Sequence, residues 1–351
     1  MKRVSTRFPN LLQSFSAHKA TGKLPGATNS AWPEAREPDP LPARAPVLKL
    51  RKNRPPFRGA DMLEALRAKV WVVLHWVRKV AALFGPVAEE RVVFYQANWY
   101  FPHLRHPRTF NEKVCHRKLF RPAPMSEILA DKYAVREYVS RRGYPEILNE
   151  ILLLTDNPEE INFDKLPRQF AVKATHGSGW NILVRDKGNV SQREVIDQCR
   201  LWLAKSYGAS HREFYYHKIK PAILIERFLS DGRRGVPLDY KFHMFHGKCR
   251  LIMVDYDRFS CHTRTIYNER WEPLPFRIKY PQGVVECRPA TLESMLEISE
   301  VLARGMDFAR IDLYSPGEGR IFFGEITLTP GAGFARFLPN PEWDHRLGSL
   351  W

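Results

Sequence analysis

The pattern of apolar and polar positions divides the chain into three regions. Residues 1–60 are rich in Pro, Arg, Ser and Ala and show no sustained hydrophobic period, which predicts a disordered extension. Over 61–84, apolar residues recur at helical spacing while most basic residues lie on other faces, which predicts an amphipathic helix within 61–90. From Val92 onward, short apolar runs alternate with helical patterns, so 91–351 is predicted to be a folded region that contains both strands and helices.

The extension and the helix after it each leave an alternative open. Translation could begin at Met62, in which case the extension would be an artefact. Trp71 and Trp76 give the helix amphipathic rings that suit a membrane surface, but the same pattern suits packing on the folded region or on a partner. Hydrophobic periodicity does not separate these alternatives. No run of about eighteen apolar residues occurs, so no segment is predicted to cross a bilayer.

Capping and turn residues mark further elements in the folded region. Thr109 followed by Glu112 predicts a capping box at the start of a helix. A second helix is predicted from Ser126 to Arg142, where Gly143 ends it. Other predicted helices cover 191–206 and 291–304, and predicted strands cover 151–154, 169–175, 182–184, 223–229, 238–245 and 249–254.

The stretch from Phe308 to Phe334 carries the clearest chemical signal. Arg310, Asp312 and Tyr314 alternate with apolar residues on a first strand, and Glu325 lies on the strand that returns after a turn. Such a hairpin can place Asp312 and Glu325 side by side, an arrangement that favours a bound cation. Oxygen ligands of this kind suit Mg²⁺ together with substrate phosphates. The alternative is a solvated hairpin whose charges only keep it soluble.

A lysine and a glycine-rich loop lie between two predicted strands. Lys173 stands near the end of the first strand, and Gly177, Ser178 and Gly179 follow in the loop. Glycines let backbone N–H groups approach phosphate oxygens, and the lysine supplies a positive charge. The loop lacks a Gly-Lys-Ser or Gly-Lys-Thr sequence that opens a helix, so it is not a Walker loop. A phosphate-binding loop and an ordinary turn are both compatible with this pattern.

Polar residues also share one face of the strand 238–245, where Asp239, Lys241 and His243 alternate with apolar residues. The histidines have no metal-ligand spacing. We therefore expect His243, like His176 and His262, to be a polar surface or substrate-side residue rather than a metal ligand. The five cysteines, without a Cys-x-x-Cys pair, favour a reducing, cytoplasmic compartment over a disulfide framework.

The positive charge of the chain is unevenly distributed. The formal net charge is +17, and residues 1–60 contain 12 Lys and Arg against 3 Asp and Glu, a net of +9 that leaves +8 for the rest. The basic residues form neither a recognition helix nor an RRM-like pattern, so nucleic acid is not the favoured partner. An anionic substrate, an anionic membrane surface, or both, fit this charge better.

With these elements in order, the sequence resembles the ATP-grasp superfamily and, more narrowly, its TupA-like (teichuronopeptide-biosynthesis, amidoligase-like) group. The ordered set of motifs is specific, although no single motif is decisive, and it covers roughly residues 92–348. The motifs are PRTFNEKV, LADKYAVREYV, FDKLPRQFAVKATHGSGWNI, ILIERFL, LDYKFHMFHGK, VDYDRF, FARIDLY and FFGEITLTPGAGF.

The resemblance implies an ATP-grasp fold in which two α+β lobes hold ATP between them. It divides the folded region into an N-terminal part over 91–165, an ATP-binding lobe over about 166–230, and a central sheet with the metal site over about 231–351. It further implies that two lysines contact the phosphates, that a flexible flap covers them, and that a linker reads the adenine. The implied nucleotide-binding residues are Lys132 and Lys173, then His176, Gly177, Ser178 and Gly179 of the flap, and Glu226, Arg227 and Phe228 of the linker.

The resemblance also implies Mg²⁺ as a cofactor, with Asp312 and Glu325 as the metal-binding acids. Thr327 stands where many members place a metal-binding asparagine, and its hydroxyl could bind metal or water. Two catalytic roles follow: Arg310 would stabilise phosphate charge, and Lys241, Arg258 and Arg264 would hold phosphate or an acidic acceptor.

Three functions remain open from the sequence. The first is an ATP- and Mg²⁺-dependent carboxylate–amine ligase that forms an amide through an acylphosphate, in the biosynthesis or modification of a cell-surface polysaccharide. An acidic glycan would suit the basic surface, and a membrane-associated precursor would suit the helix at 61–84, which could place a cytoplasmic protein at the inner face of the membrane. The second is a kinase that phosphorylates a sugar hydroxyl. The third is a non-catalytic scaffold that binds glycan or nucleic acid. No general base for the amine stands out from the sequence.

Overall fold

The computed structural model describes Val73 and residues 75–232, 235–257 and 261–351. The predicted disordered extension, residues 61–72 of the predicted amphipathic helix, and Arg258 lie outside these residues. Residues 75–83 are helical, and Gly85 in the left-handed region (φ +101°) separates them from the next helix. Among the residues described, no helix is both long and apolar enough to cross a membrane.

Short helices and antiparallel strands alternate through the folded region. The helices are α1 (Pro86–Asn98), α2 (Phe110–Leu119), α3 (Ser126–Ala130), α4 (Ala134–Arg141), α5 (Gln192–Leu203), α6 (Leu292–Leu302) and α7 (Glu342–Ser349). The strands are β1 (Ile151–Thr155), β2 (Phe170–Ala174), β3 (Asn181–Val184), β4 (Ile223–Arg227), β5 (Asp239–Phe245), β6 (Lys248–Tyr256), β7 (Thr263–Tyr267), β8 (Arg277–Ile278), β9 (Phe308–Gly317), β10 (Arg320–Thr327) and β11 (Phe337–Leu338).

The first of two main sheets is small and antiparallel, with strand order β1-β4-β2-β3. Phe170 and Val172 of β2 pack with Trp202 of α5 in one buried cluster. Because alternate residues of a strand point to opposite faces, Ala171 and Lys173 lie on the other face of the same strand. That face lines a cleft. The sequence-predicted strands of this region are confirmed.

The second sheet is larger, with strand order β10-β9-β5-β6-β7, and all its pairings are antiparallel. Phe242 of β5 and Ile311 of β9 pack with Leu302 of α6 in the largest buried cluster. Lys241 and Asp312, which are paired in the register of β5 and β9, point to the opposite face. The alternation in the sequence therefore buries one face and leaves a charged face for the cleft.

Helix α2 begins with the predicted capping box. The Thr109 Oγ1 accepts a hydrogen bond from the Glu112 backbone N–H (3.1 Å), and Glu112 Oε2 accepts one from the Thr109 N–H (3.0 Å). This reciprocal pair satisfies two N–H groups that a helix start would otherwise leave without partners. Phe110 then packs with Phe308 of β9 and Leu347 of α7 in one buried cluster, and this contact holds α2 against the large sheet. The capping prediction is confirmed.

The single helix predicted from Ser126 to Arg142 is wrong, because the chain forms α3 and α4 with a break between them. Asp131 leaves the helical conformation (φ −74°, ψ 116°), and its Oδ1 accepts hydrogen bonds from the N–H groups of Tyr133 (2.8 Å) and Ala134 (3.2 Å). These bonds start α4 anew. The break leaves Lys132 outside both helices, where its backbone N–H donates to the Thr175 carbonyl at 3.3 Å.

Candidate functional site

A cavity of about 450 Å³, which we call the cleft, lies between the charged faces of the two sheets. The small sheet contributes Lys173 from β2 and Leu183 from β3. The large sheet contributes Lys241, Asp312 and Glu325 from β5, β9 and β10. Residues from widely separated parts of the sequence therefore meet here, as expected for a site between two lobes.

The β9–β10 hairpin places its two carboxylates together at the cleft. Glu325 stands opposite Asp312 in the strand register, next to a bulge between Phe323 and Glu325. A Cβ on Gly324 would approach the Asp312 carbonyl oxygen to 2.9 Å, so a glycine is required at this bulge. The side-by-side placement expected from the sequence is confirmed.

Arg310 lies between these two carboxylates. Its Nε donates to Asp312 Oδ1 (2.6 Å), and its Nη2 donates to Asp312 Oδ2 (2.6 Å) and Glu325 Oε1 (2.7 Å). Burial alone would raise the pKa of Glu325, but Arg310, followed by Lys241 and Lys132, holds that pKa below its usual value. Burial would lower the pKa of Arg310, and Asp312 and Glu325 raise it instead. Glu325 is therefore kept ionised.

A second set of charges continues from Asp312 along the large sheet. Lys241 Nζ lies 2.8 Å from Asp312 Oδ2, 2.5 Å from Asp239 Oδ2 and 3.8 Å from Asp255 Oδ2. Arg264 in turn donates two hydrogen bonds to Asp255, at 2.5 and 2.8 Å. Burial opposes ionisation of Asp255, but Arg264 and then Lys241 hold its pKa well below the usual value. Cations and anions thus alternate across the floor of the cleft.

The carboxylate pair fits a magnesium ion that is held jointly with phosphate oxygens. Among the described residues, no three His, Cys, Asp or Glu side chains form a group that could hold a metal alone. Mg²⁺ commonly takes one or two carboxylates and completes its octahedron with phosphate and water. Glu325 is 39% exposed and lines the cleft, so one carboxylate is accessible there. Thr327 Oγ1 donates to Glu325 Oε1 at 2.9 Å and orients it.

Two lysines face the carboxylates from the small-sheet side. Lys132 Nζ donates to the carbonyls of Ala174 (3.0 Å) and Gly177. Lys173 Nζ lies 2.5 Å from Glu226 Oε2. The pKa of Lys132 is lowered to about 8, chiefly by burial, which Glu325 opposes and Lys173 reinforces. Both lysines line the cleft, where they could meet anionic oxygens.

We expect Lys132 to take up a proton when an anion of the nucleoside triphosphate class binds. Because its pKa is about 8, Lys132 has lost part of its charge at pH 8.5, and nearby phosphate restores it. Calorimetric titration with ATP in two buffers of different protonation enthalpy measures this uptake. The Lys132→Met variant should lose it, and the surface control Lys248→Met should keep it. Equal proton uptake in wild type and Lys132→Met would contradict the assignment.

The predicted flap is only partly turned toward the cleft. Ser178 and Gly179 line the cavity, and Gly179 adopts a left-handed conformation (φ +74°). His176 is buried instead, with its Nε2 3.0 Å from the Trp202 carbonyl oxygen. Neither His176 nor Gly177 is among the residues that line the cleft. The expectation of a surface or substrate-side role for His176 is therefore wrong, while His243 and His262 do line the cleft.

The predicted linker enters the cleft through two of its three residues. Arg227 and Phe228 line the cavity. The Glu226 carboxylate instead forms ion pairs with Lys173 (2.5 Å) and Arg136 (3.1 Å). The Arg227 carbonyl accepts a hydrogen bond from Asn149 Nδ2 at 2.8 Å, which fixes the linker backbone. Glu226 therefore positions Lys173 rather than facing the cavity, and the adenine contact stays a prediction for the linker backbone.

Sequence reasoning missed several residues that line this region. Lys279 and Tyr280 lie beside Arg264, whose guanidinium carbon is 4.8 Å from the Tyr280 ring centroid. Glu213 lines a neighbouring cavity and is only 8% exposed. These residues lie in irregular segments where no hydrophobic period marks an inward-facing position. A buried acid in such a segment becomes visible only when its tertiary partners are known.

Two antiparallel sheets that enclose a charged cleft, with lysines on one wall and paired carboxylates on the other, define the ATP-grasp class of protein. The chain matches the family model described as TupA-like ATPgrasp over residues 112–351, and it belongs to this family. The fold and the family expected from the sequence motifs are thus confirmed. No curated protein matches the chain in sequence.

Solved structures with local likeness are ATP-grasp proteins of low sequence identity. D-alanine–D-alanine ligase from Bacillus anthracis complexed with ATP is 17% identical, with a TM-score of 0.35 over 58% of this chain and 55% of that chain. ATP-grasp ligase PsnB complexed with a minimal precursor is 11% identical (TM-score 0.33, 59% and 54%). N5-carboxyaminoimidazole synthetase from Staphylococcus aureus complexed with ADP is 11% identical (TM-score 0.35, 58% and 45%). The chain therefore spans about half the length of these proteins.

Proposed function

We propose that this protein is an ATP- and Mg²⁺-dependent ligase that joins a carboxylate to an amine through an acylphosphate formed on the substrate. The observation that carries this proposal is the Arg310–Asp312–Glu325 cluster, which faces the same cleft as Lys132 and Lys173. Family membership supports ATP-dependent chemistry. Phosphoryl transfer depends on positioning and charge neutralisation, so the reaction needs no protein nucleophile.

Each charged group of the cleft has a distinct part in this proposal. When bound, ATP supplies the phosphoryl group that activates the carboxylate, and Mg²⁺ neutralises phosphate charge. Asp312 and Glu325 would hold the metal, and Arg310 keeps Glu325 ionised and would offer positive charge to the phosphates. Lys132 and Lys173 would bind phosphate oxygens from the small-sheet side. Because these charged side chains are already held in place before the substrate binds, they need little reorganisation during the reaction.

The carboxylate substrate would bind at the end of the cleft lined by Arg264, Lys279 and Tyr280. Arg264 already makes two hydrogen bonds to Asp255, so Lys279 is the more available cation. We assign this position to a uronic acid unit of a cell-surface polysaccharide or its precursor, because a basic subsite suits an acidic glycan. A cytoplasmic protein at the inner face of the membrane would meet such a precursor.

A trapping experiment tests the proposed reaction. The full chain is incubated with Mg²⁺, γ-³²P-labelled ATP, hydroxylamine and either D-glucuronate or D-galacturonate. The ligase reaction releases the label as inorganic phosphate and forms a hydroxamate in equal amount. Label in a sugar phosphate would identify a kinase instead, and no carboxylate-dependent ADP would contradict both enzyme functions. The Glu325→Gln variant serves as the inactive control for each arm.

Lys173→Ala is expected to weaken ATP binding by roughly tenfold or more, because one charge-assisted hydrogen bond to phosphate is lost. The fold should persist, since Glu226 keeps its second cationic partner, Arg136, at 3.1 Å. Calorimetric titration with ATP and Mg²⁺ measures the change. Lys220→Ala, which removes an exposed lysine paired with Asp156, is the matched control. Unchanged affinity in Lys173→Ala would remove this lysine from the phosphate site.

A further inference from the structure

A second cavity of about 270 Å³ adjoins the cleft. Lys132, Arg310 and Glu325 line both cavities. A molecule in the second cavity would therefore approach the same charged centre as the nucleotide, but from a different side. The remaining wall comes largely from the segment between α5 and β4 and from the residues that follow β10. Tyr207, Glu213 and Tyr216, which line the second cavity and not the cleft, have no part in the chemistry proposed above.

Glu213 supplies a buried carboxylate to the second cavity. Its side chain accepts hydrogen bonds from Thr329 Oγ1 (2.5 Å) and Tyr215 Oη (3.2 Å), and both bonds reach Oε1. Among the described residues, no hydrogen bond reaches Oε2. Glu213 is 8% exposed and lines the cavity, so one carboxylate oxygen is left for a ligand there.

The segment that carries Glu213 is held in place by charges buried beneath it. Arg212 Nη1 lies 3.0 Å from Glu90 Oε2 of α1, and Lys118 Nζ of α2 lies 2.8 Å from Glu90 Oε1. Lys118 also donates to the His211 carbonyl at 2.9 Å. Helix α1 thus binds the Arg212 side chain and α2 binds the His211 carbonyl, while Thr329 and Tyr215 hold the Glu213 carboxylate, so the carboxylate is positioned before any ligand binds.

The other groups around Glu213 suit a positively charged nitrogen. Tyr207 and Tyr216 line the cavity with their rings in edge contact, 4.7 Å between centroids. Thr327 adds a hydroxyl. A carboxylate, aromatic rings and a hydroxyl together match the three N–H donors and the positive charge of a primary ammonium. Burial raises the pKa of Glu213, which makes its carboxylate a better proton acceptor than an exposed one.

We propose that the second cavity is the binding site for a small primary amine, and that Glu213 holds its ammonium group and removes a proton from it. This inference rests on the ligase function proposed above. It supplies the general base that the sequence did not reveal. The alternative ligand is an anion, attracted by Lys132 and Lys279 at the cavity wall. The Glu213 carboxylate opposes that alternative, and Arg310 is already engaged by Asp312 and Glu325.

The proposed step balances in atoms and charge. The bound ammonium gives one proton to the Glu213 carboxylate, and the freed nitrogen lone pair attacks the carbonyl carbon of the acylphosphate. A C–N bond forms as the C–O bond to phosphate breaks. The departing phosphate carries away the second nitrogen proton, which leaves a neutral amide. Glu213 then returns its proton to solvent when the products leave.

Binding of propylammonium to the full chain at pH 7.5 tests the site without any turnover. Wild type, Glu213→Gln and the surface control Glu300→Gln are titrated with propylamine hydrochloride and followed by ligand-observed NMR. We expect Glu213→Gln to bind at least about tenfold more weakly, because a charge-assisted hydrogen bond is lost, and Glu300→Gln to match wild type. Tetramethylammonium, which has the positive charge but no N–H donor, should lose less affinity than propylammonium in Glu213→Gln. Equal binding by wild type and Glu213→Gln, or no binding to wild type, would overturn the proposal.

Nucleophile dependence separates a proton-accepting role from a structural one. Hydroxylamine is uncharged near neutral pH and needs no base, whereas propylamine must first lose a proton. In the uronate assay, Glu213→Gln should lose roughly a hundredfold or more of its rate with propylamine while keeping hydroxamate formation. An equal loss with both amines would overturn the proton-accepting role. Absence of hydroxamate in wild type would contradict the ligase proposal but not the amine site. The binding titration decides separately whether Glu213 holds an ammonium group.

Discussion

Glu325→Gln is expected to lower ATP-dependent turnover by roughly a hundredfold to a thousandfold while leaving the fold intact. The amide keeps the shape of the side chain and can still accept the hydrogen bond from Thr327, but it removes the negative charge that would hold Mg²⁺. The fold should persist because Glu325 is 39% exposed and its partner Arg310 keeps a second carboxylate, Asp312. ADP release in the hydroxylamine and uronate assay measures the effect.

The same hairpin offers a matched control for this substitution. Glu318 lies in the turn between β9 and β10 and is 83% exposed, so Glu318→Gln should leave turnover unchanged. Asp312→Asn should match Glu325→Gln in turnover but lower stability as well, because Arg310 and Lys241 then lose a fully buried partner. Turnover near the wild-type value in Glu325→Gln would remove this residue from the metal site.

Glu90→Ala is expected to lower the free energy of unfolding by about 3–5 kcal/mol. Glu90 has no exposed surface and lies between two buried cations, at 2.8 Å from Lys118 Nζ and 3.0 Å from Arg212 Nη1. Truncation leaves both cations buried without their shared partner, and it opens space in the core. Since a domain of ordinary stability has about 5–15 kcal/mol in total, this loss would be large.

Urea unfolding followed by circular dichroism measures that loss. Glu342→Ala is the control, because Glu342 forms an exposed ion pair with Arg346 one helical turn away, and such pairs contribute about 0–1 kcal/mol. Similar midpoints for Glu90→Ala and Glu342→Ala would contradict the importance of the buried network. Helix α1 precedes the region 112–351 that matches the family. A large loss of stability in Glu90→Ala would therefore show that the cooperatively folded unit also includes residues before that region.

The hairpin formed by β9 and β10 was predictable, because the pattern that specifies it lies within one short stretch of sequence. Strand alternation places Arg310 and Asp312 on one face, and a short turn returns the chain so that Glu325 meets Asp312. The charged face of β5 follows the same period-two rule. No single stretch of the sequence shows that the two sheets enclose a common cleft. That arrangement was predicted from the family resemblance, which depends on the order of the motifs.

Other features of the site depended on contacts that are distant in sequence. Helical periodicity continues through Lys132, yet a hydrogen bond to Thr175 and the cap formed by Asp131 break the helix there. His176 follows a cleft-facing strand but turns inward to the Trp202 carbonyl. Glu213 is buried by Thr329, which lies 116 residues further along the chain. Periodicity carries no information about such partners, so these positions could not be assigned from sequence.

ATP binding with and without Mg²⁺, measured by calorimetry on wild type and Glu325→Gln, decides whether the cleft is a magnesium-dependent nucleotide site. We predict that Mg²⁺ strengthens ATP binding to wild type, and that this gain is largely lost in Glu325→Gln while metal-free binding persists. Magnesium-dependent binding of equal strength in both proteins would contradict the metal site. Absence of ATP binding to folded wild type would contradict the assignment of the cleft as a nucleotide site.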